Sequence, residues 1–180
     1  MIETAILIAG LAHSAELRQV TVNTTNQANV PAAILNPALR EAVWLFEKSG
    51  IEISWVSGSA TANFQLSILA TDPRPATGRF LLGFAHSVEE NGSRAAVLFN
   101  NIRAFSEKHM GIVNVQQLLG AAVAHELGHW IFNTAHHSDG VMAPVWSKED
   151  LARMNQRRLT FTGAQSGQLR MALARTQMGN

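Results

Sequence analysis

Asn114-Val-Gln-Gln-Leu-Leu-Gly-Ala-Ala-Val-Ala-His-Glu-Leu-Gly-His-Trp-Ile131 is apolar on nearly every side when wound at 3.6 residues per turn. A helix of that kind is buried rather than laid on a surface. Asn114 is suited to cap it, with Gln117 in capping-box position three residues on. Asn133 follows its end, a residue that tolerates the left-handed conformation of a helix exit. His125 and His129 lie four apart on this helix, which stacks both imidazoles on one face within reach of one ion. Neutral imidazole is a good zinc ligand. Glu126 lies beside His125 and is able to lean over the metal without ligating it. From there it would take a proton from zinc-bound water, whose pKa the ion lowers to about 7. The plainer alternative is a buried helix with two hydrogen-bonded histidines. The match falls on a strongly apolar helix and is followed by a histidine pair and a methionine, which favours zinc.

A catalytic zinc takes three protein ligands and leaves one position open. The chain has no cysteine, so disulfides, thiolate zinc sites and cysteine nucleophiles are excluded and a metal must be held by His, Asp or Glu. Four of the seven histidines, His125, His129, His136 and His137, fall within thirteen residues. The third candidate is His136 or His137, either of which would swing back to the metal if the chain reverses at Asn133. Ser138-Asp-Gly-Val-Met142-Ala-Pro144 comes next, a turn-rich run with one methionine of buried type.

Outward from this helix the pattern is mixed. Residues 16–25 alternate apolar and polar and predict a strand. Asn36-Pro37 predicts the start of a helix, with Leu35, Leu39, Val43 and Phe46 on one face and Gly50 closing it. Ile51–Val56 and Phe64–Leu69 read as strands, the second ended by Asp72-Pro73-Arg74-Pro75. Leu81–Val88 and Arg94–Phe99 read as two strands joined by a turn at Glu90-Asn91-Gly92. Ser147 with Asp150, and Thr162 with Gln165, form two further capping boxes and predict two C-terminal helices. Strand, helix, strands, then helices implies an α+β domain with a mixed sheet and its helices on one face.

With 180 residues, 47% of them hydrophobic, the chain fits one domain with a sizeable core. Charged residues are only 15% and the formal net charge is +1, which points away from nucleic acid or an anionic membrane as partner. Residues 1–15 hold an apolar stretch of signal-peptide length, too short to span a bilayer, with Glu3 where a positive charge is expected. They read as a signal segment, which would make the protein secreted or periplasmic, or as an N-terminal core element. Residues 16–180 then form the single domain. Other histidines are weaker candidates. His86 sits on a strand near the cleft, with a plain strand histidine the simpler reading, and His13 and His109 read as surface residues. Arg153, Arg157, Arg158, Arg170 and Arg175 have helical spacing and read as a solvated face.

His125-Glu-Leu-Gly-His129 with Met142 resembles the metzincin clan of zinc peptidases, whose pattern is H-E-x-x-H-x-x-G-x-x-H followed by a Met-turn. Phe132 stands where that pattern has glycine and Ala135 where it has the third histidine, so the loop is one residue longer here. The chain is similar to small bacterial matrixin-like zinc proteins, which share H-E-[LI]-G-H, a short variable loop, H-S-x-x-G-[IV]-M and a Trp-led helical tail. Leu82-Gly-Phe-Ala85, Trp146 and Leu159-Thr-Phe-Thr162 also look like that group. The resemblance spans residues 16–175, and residues 125–142 carry its specific part. It implies a zincin or metzincin-like fold: a mixed twisted sheet, an active-site helix, a Met-turn under the metal and C-terminal helices. Counting back from Met142 places the third ligand at His136, leaving His137 where serine is usual. The resemblance implies a zinc-dependent metallopeptidase with one catalytic Zn2+ on His125, His129 and His136, Glu126 as the base, and a peptide or protein substrate. In that clan an exposed sheet edge binds the substrate as an added strand, here Leu81–Val88 or Arg94–Phe99. The chain has no tyrosine, so the Met-turn tyrosine of some metzincins is absent. Two rivals stand beside this reading: a non-catalytic zinc-binding or partner-binding protein, and a zinc hydrolase of a non-peptide bond. Glu126 argues against the first, because a structural site needs no base.

Overall fold

The structure, a computed structural model, describes residues 18–58, 62, 64–74, 80–86, 94–132 and 139–178. The expectations for residues 1–15, for the turn at Glu90-Asn91-Gly92 and for Asn133, His136 and His137 lie outside them. Strands β1 (Arg18–Asn26), β2 (Ile51–Val56), β3 (Phe64–Leu69), β4 (Gly83–His86) and β5 (Arg94–Leu98) make one sheet in the order β2-β1-β3-β5-β4. β1 runs parallel to β2 and β3, β3 runs parallel to β5, and only β4 is antiparallel. The helices are α1 (Ala32–Glu47), α2 (Phe99–Lys108), α3 (Val115–Phe132), α4 (Lys148–Asn155) and α5 (Gly163–Met178). The molecule is α+β with a mixed sheet. Among the described residues no helix is long and apolar enough to cross a membrane.

Register explains the core. The pairs Val20↔Ile53, Val22↔Phe64, Leu66↔Ala95 and Ile68↔Val97 put alternate residues of four strands on one face. All eight are buried, as are Leu118, Leu119, Ala122 and Val123 of α3 and Leu45 and Phe46 of α1. Burying one such aliphatic side chain contributes about 1.5–3 kcal/mol. The α3 cap forms as the residue types dictate: Asn114 Oδ1 accepts from the Gln117 backbone N–H at 2.8 Å. Both C-terminal capping boxes are present. Ser147 exchanges bonds with Asp150, and Thr162 with Gln165, whose Nε2 also donates to the Asp139 carbonyl.

Four expectations are corrected. α1 begins at Ala32, not at Asn36-Pro37, and Pro37 lies inside it. Pro31 takes the opening role, with its preset φ of −57° and its carbonyl accepting from Ile34 and Leu35. The deeply buried stripe of α1 is Ala38, Glu41, Ala42, Leu45 and Phe46, rotated from the expected face. Small side chains there let Gly120 of α3 seat against the Ala38 carbonyl and the Glu41 side chain. α2 was not expected, yet Phe99, Ile102 and Ser106 give it a buried face. His109 is half-buried against Phe105 rather than a plain surface residue, with its Nδ1 2.9 Å from the Phe105 carbonyl. The arginine series is exposed, as expected, and two of its members also make long-range hydrogen bonds. Arg157 donates from Nε and Nη2 to buried Glu41 at 3.0 and 2.8 Å, and Arg170 donates to the Ser49 carbonyl at 2.8 Å.

Candidate functional site

α3 brings His125, Glu126 and His129 to the sheet, where it packs on β4 and β5. All three side chains are buried. The two imidazoles meet edge to face with 4.6 Å between ring centroids, and their Nε2 atoms are 3.0 Å apart. His125 Nδ1 lies 2.8 Å from the Val141 carbonyl. A carbonyl only accepts, so Nδ1 carries the proton and Nε2 keeps its lone pair. The same contact ties α3 to the short 3-10 turn Gly140–Met142.

That turn is where the expected methionine sits. Met142 is fully buried, and a Cβ placed on Gly128 would come within 2.7 Å of its sulfur. The absent side chain at Gly128, between the two histidines in sequence, is what lets Met142 close against this stretch of the helix. Buried Trp146 meets His125 edge to face, with 5.9 Å between ring centroids.

Glu126 points to the edge strand. A Cβ on Gly83 would lie 2.7 Å from both Glu126 Cγ and Oε1, so β4 has a gap in its helix-facing side that the carboxylate fills. Burial pushes the Glu126 carboxyl up to about 8, against the opposing pull of the Arg74 guanidinium. Arg74 lies in the turn after β3. Its Nε and Nη2 donate to Asp72 at 2.9 and 2.7 Å, and its guanidinium covers the Phe84 ring of β4 at 3.6 Å. Arg74 is held charged chiefly by the Asp72 hydrogen bond, with a further contribution from Glu126. Asp72, Arg74, Gly83 and Phe84 were not singled out for a role from sequence. The cue was present: an Asp and an Arg two apart bracket Pro73 in a turn.

β4 is a sheet edge among the described residues. Leu98 N–H donates to the Leu82 carbonyl, and the register continues Phe84↔Ala96 and His86↔Arg94. Antiparallel pairing alternates, so the amides and carbonyls of Gly83 and Ala85 face the open side. His86 ends this strand.

Two imidazole nitrogens that converge at 3.0 Å are able to share a divalent cation. Nitrogens held about 2.1 Å from one tetrahedral ion are about 3.4 Å apart. Among the described residues no group of three His, Asp or Glu side chains forms a fuller metal cluster. No protein-family model matches the chain, and no curated protein matches it. Among solved structures, the GM1 bound form of the ECX AB5 holotoxin has a chain 14% identical to this one. The likeness covers 87% of this chain and 79% of that one at a TM-score of 0.47, too loose to carry an argument.

Proposed function

We propose that the protein is a zinc-dependent metallopeptidase of zincin, metzincin-like architecture that hydrolyses peptide bonds. The observation that carries the reading is the pair of Nε2 atoms 3.0 Å apart on α3, with buried Glu126 of the same helix set against β4, the sheet edge among the described residues. His125 and His129 would hold the ion, with His136 as third ligand by the resemblance. A bound zinc would supply Lewis acidity and acidify the attacking water. The remaining steps belong to the chain. The Val141 carbonyl fixes the His125 ring by accepting from Nδ1, which leaves Nε2 as the ligating atom. Gly83 and Ala85 offer backbone groups to an extended peptide laid along β4. Glu126 takes a proton from water as its oxygen adds to the scissile carbonyl carbon. It returns that proton to the leaving nitrogen as the C–N bond breaks. The chain has no tyrosine, so backbone donors, together with a metal if bound, would stabilise the oxyanion.

The test is Glu126→Gln, which keeps the shape and removes the base. Metal content should be unchanged, while cleavage of a general peptide library falls about a hundredfold or more. A chelator should abolish wild-type cleavage. Full activity in Glu126→Gln, or in metal-stripped protein, would sink the reading.

A further inference from the structure

A second concave site lies at the end of α3 away from His125 and His129. Val115 and His125 are ten residues apart, so the two places are separated by roughly 15 Å along the helix. The cavity there is about 500 Å³ and is bounded by α1, the start of α3 and the chain leaving α4. Its walls are chiefly carboxamides, which do not suit an apolar ligand. Asn114 and Gln117 form the frame. Asn114 Nδ2 donates to Gln117 Oε1 at 2.7 Å, and Gln117 Nε2 donates to the Asn155 carbonyl at 3.2 Å. Gln116, Asn155 and Gln156 line the cavity too, and among the described residues their side chains make no hydrogen bond. Glu41 and Arg157 stand at the same cavity. Their two bonds use Nε and Nη2 of the arginine and only Oε2 of the glutamate. Among the described residues that leaves Nη1 and Oε1 without a hydrogen-bond partner. The Glu41 side chain is only 5% exposed and lines the cavity, so its second oxygen is reached from there. Arg157 has a φ of +53°, a conformation that glycine or asparagine adopts at less cost, and carrying arginine there brings a guanidinium to the cavity.

We propose that this cavity binds an uncharged polyhydroxylated ligand, a sugar, through Arg157 Nη1, Glu41 Oε1 and the carboxamides around them. Nothing in it requires the peptidase reading. A ligand with a full charge is attracted by one member of the pair and repelled by the other, so the pair selects for neutrality. A hydroxyl both donates and accepts. One hydroxyl donates to Oε1 while its neighbour on the sugar ring accepts from Nη1. A carboxamide carries a donor and an acceptor side by side, and it repeats that match with further vicinal hydroxyls. The Pro37 ring offers an apolar wall to a C–H face of the sugar. Asn114, Gln117 and the ion pair are fixed before the ligand arrives, which lowers the ordering cost of binding.

Ligand-observed NMR and calorimetry on the full chain test this. The probes are D-glucose, D-galactose, D-mannose and N-acetyl-D-glucosamine, each free in solution and as the terminal residue of an immobilised glycan. Sodium acetate, tetramethylammonium chloride and glycine are the charged controls. At least one sugar should bind with a Kd of about 1 mM or tighter, and every control at least about tenfold more weakly. Arg157→Ala should weaken binding of that sugar about tenfold or more, the loss expected when a hydrogen bond to a charged group is removed. Glu41→Gln should do the same. If Glu41→Gln fails to fold, Arg157→Ala decides alone, since 57% of the Arg157 side chain is exposed and its removal costs little stability. Arg158→Ala, exposed and outside the lining, should leave the Kd unchanged. Binding of immobilised glycans alone makes the ligand a glycan chain, binding of free sugar alone makes it a small molecule, and each upholds the chemistry. No sugar bound below about 10 mM overturns the proposal. So does binding that is unchanged in Arg157→Ala, or a charged control that binds more tightly than every sugar.

Discussion

Gly83 shows how one missing side chain positions another residue's chemistry. A methyl group there would stand 2.7 Å from the Ala96 carbonyl and equally close to Glu126. The carbonyl belongs to the sheet and does not yield, so Glu126 would have to move. Misplacing a reacting group by about 1 Å costs up to about a hundredfold in rate. Gly83→Ala should therefore lower kcat roughly ten- to a hundredfold while zinc content stays at the wild-type level. Wild-type kcat in folded Gly83→Ala would mean that Glu126 is not held from this side. At this scale the sequence was informative where residue type alone determines behaviour. Two imidazoles four apart on a helix must share a face, and the structure places His125 and His129 so. The sequence places Gly83 only in the Leu82-Gly-Phe-Ala85 run and Arg74 only in the turn that ends β3, and not their contacts, because the partners Glu126 and Phe84 are brought to them by the strand order.

Helices with strong end signals were legible as elements. Asn114, Ser147 and Thr162 each hold the backbone N–H that their side chains are built to hold. α1 was misjudged because Asn36-Pro37 imitates a helix start, while the actual start at Pro31 has no side-chain cap. α2 went unseen because it follows β5 with no intervening loop, and Phe99 read as the end of a strand. The third-ligand assignment falls after α3, outside the described residues. Under the proposed function α3 would supply two ligand nitrogens, from His125 and His129, and the third would come from elsewhere in the chain. On the proposed reading the resemblance puts the third ligand at His136, with His137 as the alternative. His136→Ala should lower zinc affinity by a factor of at least ten to a hundred, the range seen when a metal site loses supporting contacts. His137→Ala should change it far less. Metal titration against a competing chelator decides this, and the reverse order would move the ligand to His137.

For the molecule as a whole, composition and element order were enough to imply α+β with a mixed sheet. They did not imply the order β2-β1-β3-β5-β4, because parallel pairing leaves no local turn signal to read. The same distance effect hid the tie between the two halves of the chain. Glu41 on α1 is buried, and Arg157, which follows α4 with a φ of +53°, reaches it and also flanks Trp44 at 5.5 Å. Arg157→Ala would leave that carboxylate without its cation. Because 57% of the Arg157 side chain is exposed, solvent screening holds the cost near about 1 kcal/mol. At this chain length that is a fall in Tm of roughly 2–4 °C. Arg158→Ala, on an exposed neighbour, should leave Tm within about a degree or two, since surface changes cost about 0.5 kcal/mol or less. Equal melting of the two variants would show the long-range pair to be inert. The four-residue strand β4 sets a different kind of limit. A sheet margin recognises extension rather than sequence, so it is a template for any unfolded chain, including another copy of this protein. Brevity and a fixed charge beside such a margin are among the ways proteins resist polymerising through it. A longer, uncharged β4 would grip more chains and release fewer, at the risk of seeding fibrils.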